Sequence, residues 1–221
     1  MAEITQNKTT IIIDNQYFAC INYIKNLFKV SHIVIFSSEP YQKMSFRNRC
    51  IVAGSNGLVN LSVPLENGRD QKGSFKDVRI SYRDAWQRHQ WNTLLSCYNK
   101  SAFFEFYRDA LEKLFLKKEP FLFDLDISIL TWLKEVLHFP AEIEVIEDVA
   151  YLEKEMCAVD LRDRWRPKNF QDISSNSEFS VPPYFQVFEN RIGFQPNLSI
   201  LDLLFNEGPN ASSLLKNSSP G

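Results

Sequence analysis

Apolar residues first gather in Ile11-Ile12-Ile13, then recur at helical spacing as Phe18, Ile21, Ile24, Leu27 and Phe28, before a second unbroken run, Ile33-Val34-Ile35-Phe36. Short β-branched runs read as strands, and the spaced positions between them read as a helix with one apolar face. A strand-helix-strand unit of this kind pairs its strands in parallel through a right-handed crossover, and ligands bind beyond the carboxyl ends of such strands. Asp14 to Tyr17 and Ser37 to Lys43 are therefore expected at that end.

Further along, Cys50-Ile51-Val52-Ala53 and Leu58 to Val63 flank Gly54-Ser55-Asn56-Gly57, the pattern of a β-hairpin whose turn needs residues tolerant of positive φ. A polar loop, Asn67 to Gly73, precedes a short strand over Asp77 to Ile80. The period then becomes helical over Trp86 to Asn99 and over Ala102 to Lys118, where Phe103, Phe106, Tyr107, Ala110, Leu111, Leu114 and Phe115 share one stripe. Asp126 is expected to cap a third helix carrying Ile129, Leu130, Leu133, Val136 and Leu137, which ends before Pro140. Ile143 to Ile146 reads as a strand in which Glu142 and Glu144 face water, and Asn169 to Pro183 reads as a linker.

The last element carries its own boundaries. Asn197 or Ser199 can cap a helix, Asp202 can reach back as in a capping box, and Gly208 followed by Pro209 stops it. The whole pattern predicts an α/β fold: an N-terminal strand-helix-strand unit and a β-hairpin sheet packed with a mostly helical second half. One domain is expected over residues 1–208, with a helical lobe over about 84–140 and a flexible tail over 209–221.

Composition narrows the functional classes. Hydrophobic residues make up 44% of the 221, enough for a substantial core. A net charge of -2 and a pI near 6.0 argue against general nucleic-acid binding. No apolar stretch reaches the roughly 18 residues of a membrane helix, and Met1 to Lys8 has no signal-peptide core, so no membrane insertion and a cytoplasmic location are expected. Cys20, Cys50, Cys97 and Cys157 lack paired spacing and read as free thiols. The three histidines are scattered, so no metal site is predicted. Seven glycines without a Walker loop or a G-x-G-x-x-G turn give no standard nucleotide cradle, and no nucleophile elbow is present, so no cofactor is expected. Nothing in the sequence reports oligomeric state.

The densest polar constellation is Tyr41 to Arg49, which holds Tyr41, Lys43, Arg47, Asn48 and Arg49. In an extended run Arg47 and Arg49 point to one face, and paired guanidiniums grip planar oxyanions. Composition alone favours a solvated strand leading into the hairpin. Trp86 to Asn92 adds His89, whose ordinary pKa near 6.5 suits proton transfer, and Trp91, whose indole could stack on a ligand. A lone helical histidine also fits an ordinary surface position. Arg162, Arg164, Arg166 and Lys168 form a basic run around Trp165, able to meet an anionic ligand or to offset the acidic stretch Glu142 to Glu155, with solvated charge the default.

Five blocks in order resemble the WbqC-like family: Asn15-Gln16-Tyr17-Phe18; Tyr41 to Arg49 with its Ser-Phe-Arg-Asn-Arg core; Trp86 to Tyr107; Val159-Asp160-Leu161-Arg162; and Tyr184 through Pro209. Ala19 and Cys20 stand where members usually carry a proline. The resemblance implies a role in O-antigen and related surface-polysaccharide biosynthesis, with glycine transfer as the suggested activity. It thus implies a transferase acting on a small-molecule substrate: an amino sugar, a sugar nucleotide or an activated amino acid. In that scheme Arg47 and Arg49 hold an anion, His89 or Tyr41 takes the amine proton, and Asn48 orients the acceptor. Tyr17, Lys43, Trp91 and Asn197 complete the expected binding set. The competing expectation is a non-catalytic factor that binds a glycan intermediate or a partner.

Overall fold

β-Branched side chains crowd a helix but fit a pleated surface, and they build the first sheet. The structure, a computed structural model, describes residues 9–68, 73–147, 158–169 and 183–217. β1 (Thr10–Ile13) and β2 (His32–Phe36) pair in parallel around α1 (Ile21–Leu27), with Ile11 opposite Ile33 and Ile13 opposite Ile35. Those four isoleucines face the main core, while Ile12, Val34 and Phe36 form a second apolar layer with Ile146 and Ala158 on the other face. Both faces being apolar explains why these strands read as unbroken runs, without alternation.

β3 (Arg49–Gly54) and β4 (Gly57–Ser62) form the expected hairpin, with Gly57 at a φ of 130° just after the Ser55-Asn56 tip. Three helices follow: α2 (Trp86–Tyr98), α3 (Phe104–Leu116) and α4 (Leu122–Leu137). Two further strands join the first sheet. β5 (Glu142–Ile146) pairs with β2, and β6 (Val159–Asp160) with β1, giving a four-stranded parallel sheet in the order β5-β2-β1-β6. Short α5 (Glu189–Ile192), α6 (Ile200–Glu207) and α7 (Asn210–Asn217) complete the described chain.

Three local expectations change. The helix predicted to start at Asp126 starts at Leu122, because Leu122, Phe123 and Leu125 already face the core; Asp126 lies inside it and is fully buried. Asp77 to Ile80 is not a strand but a 3-10 turn, Phe75–Asp77, followed by isolated bridges from Arg79 to Phe121 and from Ile80 to Leu65. Residues 210–217 are helical, because Ala211 and Leu215, four apart, bury their side chains against the core. The loop residues 69–72 and most of the predicted linker, 170–182, lie outside the described residues.

The end of α6 is set by space as well as by chain conformation. Gly208 has a φ of 56°, and a Cβ there would lie 2.4 Å from the Phe103 ring. Gly208→Ala is expected to cost about 2–3 kcal/mol, combining left-handed strain with overpacking. Urea unfolding checks this, and an unchanged midpoint would contradict it.

Candidate functional site

Parallel winding leaves an opening where its direction reverses. From β1 the chain steps through β2 to β5, and it returns to place β6 on the other side of β1. The carboxyl ends of β2, β1 and β6 therefore lie side by side at the reversal, the place where sheets of this kind bind ligands. Glu39 and Pro40 follow β2, Asp14 follows β1, and Asp160, Arg162 and Asp163 come from the end of β6 and beyond. A cavity of about 470 Å³ opens there, lined by Glu39, Pro40, Gln42, Arg47, Asp160, Arg162 and Asp163.

Arg47 organises one wall. Ser45 accepts a hydrogen bond from the Arg47 N–H, and the following residues form a 3-10 turn, Phe46–Asn48, so the run is not extended. Arg47 therefore parts from Arg49 and turns inward, leaving it 1% exposed over the Phe75 ring. Its guanidinium donates to Glu39 Oε2 at 2.7 Å and to the Pro40 carbonyl at 2.9 Å. Glu39 Oε1 accepts from Arg162 at 2.8 Å, and Arg162 also grips Asp160 through Nε and Nη2. Asp163 pairs with Arg166 at 2.8 Å. The wall is thus a chain of charge-assisted bonds with alternating sign.

Two carboxyl groups lie behind it. Asp14 accepts from Gln16 at 3.0 Å and from the Asp163 backbone N–H at 3.1 Å, which ties the end of β1 to the loop after β6. Asp126 has neither oxygen hydrogen-bonded. Burial pushes both carboxyls above the usual carboxylate range, and the Arg47 charge only partly offsets it. One guanidinium therefore serves three carboxyl groups: Glu39 directly, Asp14 and Asp126 through the field.

The predicted site residues do not all converge here. Arg47 lines the cavity, and Tyr41 lies between two lining residues with its phenol pushed by burial up to about 12. Asn48 is buried and donates to the Val63 carbonyl at 2.9 Å, holding the base of the hairpin. Tyr17 is buried, its hydroxyl 2.7 Å from Gln90 Oε1. Trp91 packs in the core against Phe104 and Phe115. Asn197 caps α1 across the fold, its Oδ1 accepting from the Asn22 N–H at 2.9 Å. His89 and Lys43 are exposed, and Arg49 is half-buried; none of the three lines the cavity.

Glu39, Asp160, Arg162 and Asp163 were absent from the predicted set. Glu39 falls within the loop expected beyond the carboxyl end of β2, so strand position was a usable signal for it. β6 has only two residues, too few for a periodicity, so Asp160 and Arg162 were marked only by the Val159 to Arg162 block of the family resemblance, and Asp163 by nothing. Among the described residues no group of three or more His, Cys, Asp or Glu side chains is arranged for a metal ion.

Residues 15–169 match the family model described as the WbqC-like protein family. The chain is also 24% identical over 233 residues, 95% of its length and 98% of the relative's, to "Uncharacterized protein Rv1507c" of Mycobacterium tuberculosis (strain ATCC 25618 / H37Rv). No solved structure matches it.

Proposed function

The chain belongs to the WbqC-like protein family, and from that premise we propose a transferase of bacterial surface-polysaccharide (O-antigen-like) biosynthesis that joins an acyl group, such as glycyl, to an amino sugar or sugar nucleotide. The observation that supports a small-molecule reaction is the cavity of about 470 Å³ at the reversal of the parallel sheet, within the size range of ligand sites. In this reaction the acceptor nitrogen attacks the acyl carbon, the donor's leaving group departs with its bonding electrons, and the proton lost by the amine passes to that departing group.

The site's chemistry assigns the roles. Tyr41 keeps its proton near neutral pH, since burial holds its phenol at about 12; it serves as a hydrogen-bond donor, not as a base. Arg162 lowers the Asp160 carboxyl below its ordinary range, which makes Asp160 a binding group and a poor base. Arg47 holds the wall in shape through Glu39.

A second reading has its own support. The carboxylates lining the cavity are all ion-paired, a pattern suited to holding a ligand without proton transfer, and Phe185 is 65% exposed, as on a partner-binding surface. That reading is a non-catalytic factor for a glycan intermediate or an assembly partner.

Mass spectrometry separates the two. Incubating the protein with amino sugars, sugar nucleotides and activated glycine is expected to yield an acceptor heavier by one glycyl unit. An acceptor that binds and stays unmodified with every activated acyl donor tried would sink the transferase and favour the binding factor.

A further inference from the structure

Arg162 and Asp163, two residues of the cavity lining, belong to the segment from Leu161 to Arg166, which is seated on the end of β1. Leu161 donates its backbone N–H to the Ile12 carbonyl at 2.8 Å and Asp163 donates its own to Asp14 Oδ1 at 3.1 Å, while Gln16 donates to the Trp165 carbonyl at 3.4 Å. Trp165 is 1% exposed and packs edge-on against Tyr23. The seam also carries unmet costs. Gln16 Oε1, Asp163 Oδ1, Trp165 Nε1 and Arg166 Nε are all buried without a hydrogen-bond partner among the described residues, and Asp163 holds a φ of 57°, in the left-handed region. Lifting the segment returns those atoms to water. The Arg162 to Glu39 pair is the tether on the cavity side, and Arg162 keeps Asp160 when that pair parts.

Asp14 is the titratable group under the segment. It is 2% exposed, and burial pushes its carboxyl above the usual carboxylate range against the pull of Arg47, Gln16 and the Asp163 N–H. Arg47 faces it from the 3-10 turn, Asp126 from α4, Tyr23 and Cys20 from α1 and the residue before it, and Asp163 from the segment itself. Of these, Asp163 alone moves with the segment. Lifting removes its N–H bond and its repelling carboxylate, together with the cover over Asp14. Burial is the largest of these influences, so the lifted state holds the Asp14 proton less tightly than the seated one. Protonation therefore favours the seated state, and ionisation, as pH rises through the seated carboxyl's value, favours the lifted one. The neutral carboxyl has an acceptor at hand in the unpartnered Gln16 Oε1.

We propose that Leu161 to Arg166 is a hinged wall of the cavity, seated while Asp14 is protonated and released to admit or discharge ligand when Asp14 ionises. This is a regulation of the cavity read above as the ligand site, and it rests on that reading. Lifting takes Arg162 and Asp163 out of the lining and leaves Glu39, Pro40 and Arg47, which hold one another, in place.

Hydrogen exchange of the whole protein, resolved by residue and corrected for the intrinsic pH dependence of exchange, tests it. Asp14→Asn keeps an acceptor for the Asp163 N–H and cannot ionise, so it imitates the seated state at every pH. At about pH 7 the variant is expected to protect the Leu161 and Asp163 amides several-fold more than wild type, beyond any change at the Val63 amide at the base of the hairpin, and at about pH 4 the two proteins should coincide. A carboxylate that served only as a structural acceptor would give the opposite sign, with weaker protection in the variant. Should Asp14→Asn not fold, wild type alone decides: protection of Asp163 falls several-fold as the Asp14 carboxyl carbon titrates, followed by carbon NMR. Protection in the variant that is lower, unchanged or altered equally at all three amides, or wild-type protection indifferent to the Asp14 titration, would overturn the hinge. Exchange is read without ligand or turnover, so its result stands whether or not an acceptor is acylated.

Discussion

Arg47→Ala is expected to lower the free energy of unfolding by about 3–5 kcal/mol, a large share of the 5–15 kcal/mol typical of a folded domain. The residue is 1% exposed and bridges the Glu39 carboxylate, the Pro40 carbonyl and the face of Phe75. Removing it strands Glu39 on Arg162 alone and takes the nearest positive charge from Asp14 and Asp126. Arg47→Lys should recover only part of the loss, because one ammonium cannot reproduce a planar fork that reaches two acceptors. Urea unfolding followed by tryptophan fluorescence measures both variants. An alanine variant within 1 kcal/mol of wild type would show that Arg47 does not hold the wall.

Asp202→Ala should cost a similar amount, about 3–5 kcal/mol, at the opposite end of the core. Asp202 accepts from Tyr98 at 2.7 Å, from Tyr184 at 2.6 Å and from Gln186 at 3.2 Å, so alanine leaves two buried phenol donors short of an acceptor, while Gln186 keeps Tyr184 and the Gln195 carbonyl. The same group makes stability depend on pH. Burial raises its carboxyl from 3.8 to about 6, against the pull of Tyr184, Tyr98 and Gln186. Between those pH values the native state keeps a proton that the unfolded state has released. Its contribution is therefore complete below about pH 4 and is lost as pH rises through about 6. The difference amounts to about 3 kcal/mol, at about 1.36 kcal/mol for each tenfold change in proton affinity. Asp202→Asn removes the titration, and its stability should fall less than that of wild type over this window. Parallel pH profiles for the two proteins would contradict the assignment.

The apolar pattern carried most of the fold, because the buried faces of β1, α1, β2 and the long helices follow regular periods. What escaped it are places where a single tertiary contact outweighs a local rule. Asp126 looks like a cap by residue type, yet its neighbours Leu125 and Ile129 pull it into the core. Arg47 and Arg49 share a face only in an extended chain, and the hydroxyl of Ser45 turns that chain into a 3-10 step. Of the two candidate caps for α6, Ser199 accepts from the Leu201 N–H, while Asn197 instead caps α1, 175 residues away in sequence. Asp14 and Glu39 fall in loops that strand position had marked, whereas Asp160 and Arg162 come from an element too short for a periodicity and were marked only by the family resemblance. The location of a site was thus more legible than its membership, since location follows from winding and membership from side chains that meet only in the folded chain.

A ligand site at the carboxyl ends of β2, β1 and β6 puts the loops after those strands in contact with the ligand. Titrating isotopically labelled protein with glucosamine, while following backbone amide resonances, tests this most directly. Shifts are expected to concentrate in residues 37–48 and 158–166 and to weaken in Asp160→Asn. Shifts centred on His89 and the exposed face of α2, with the cavity unmoved, would contradict it.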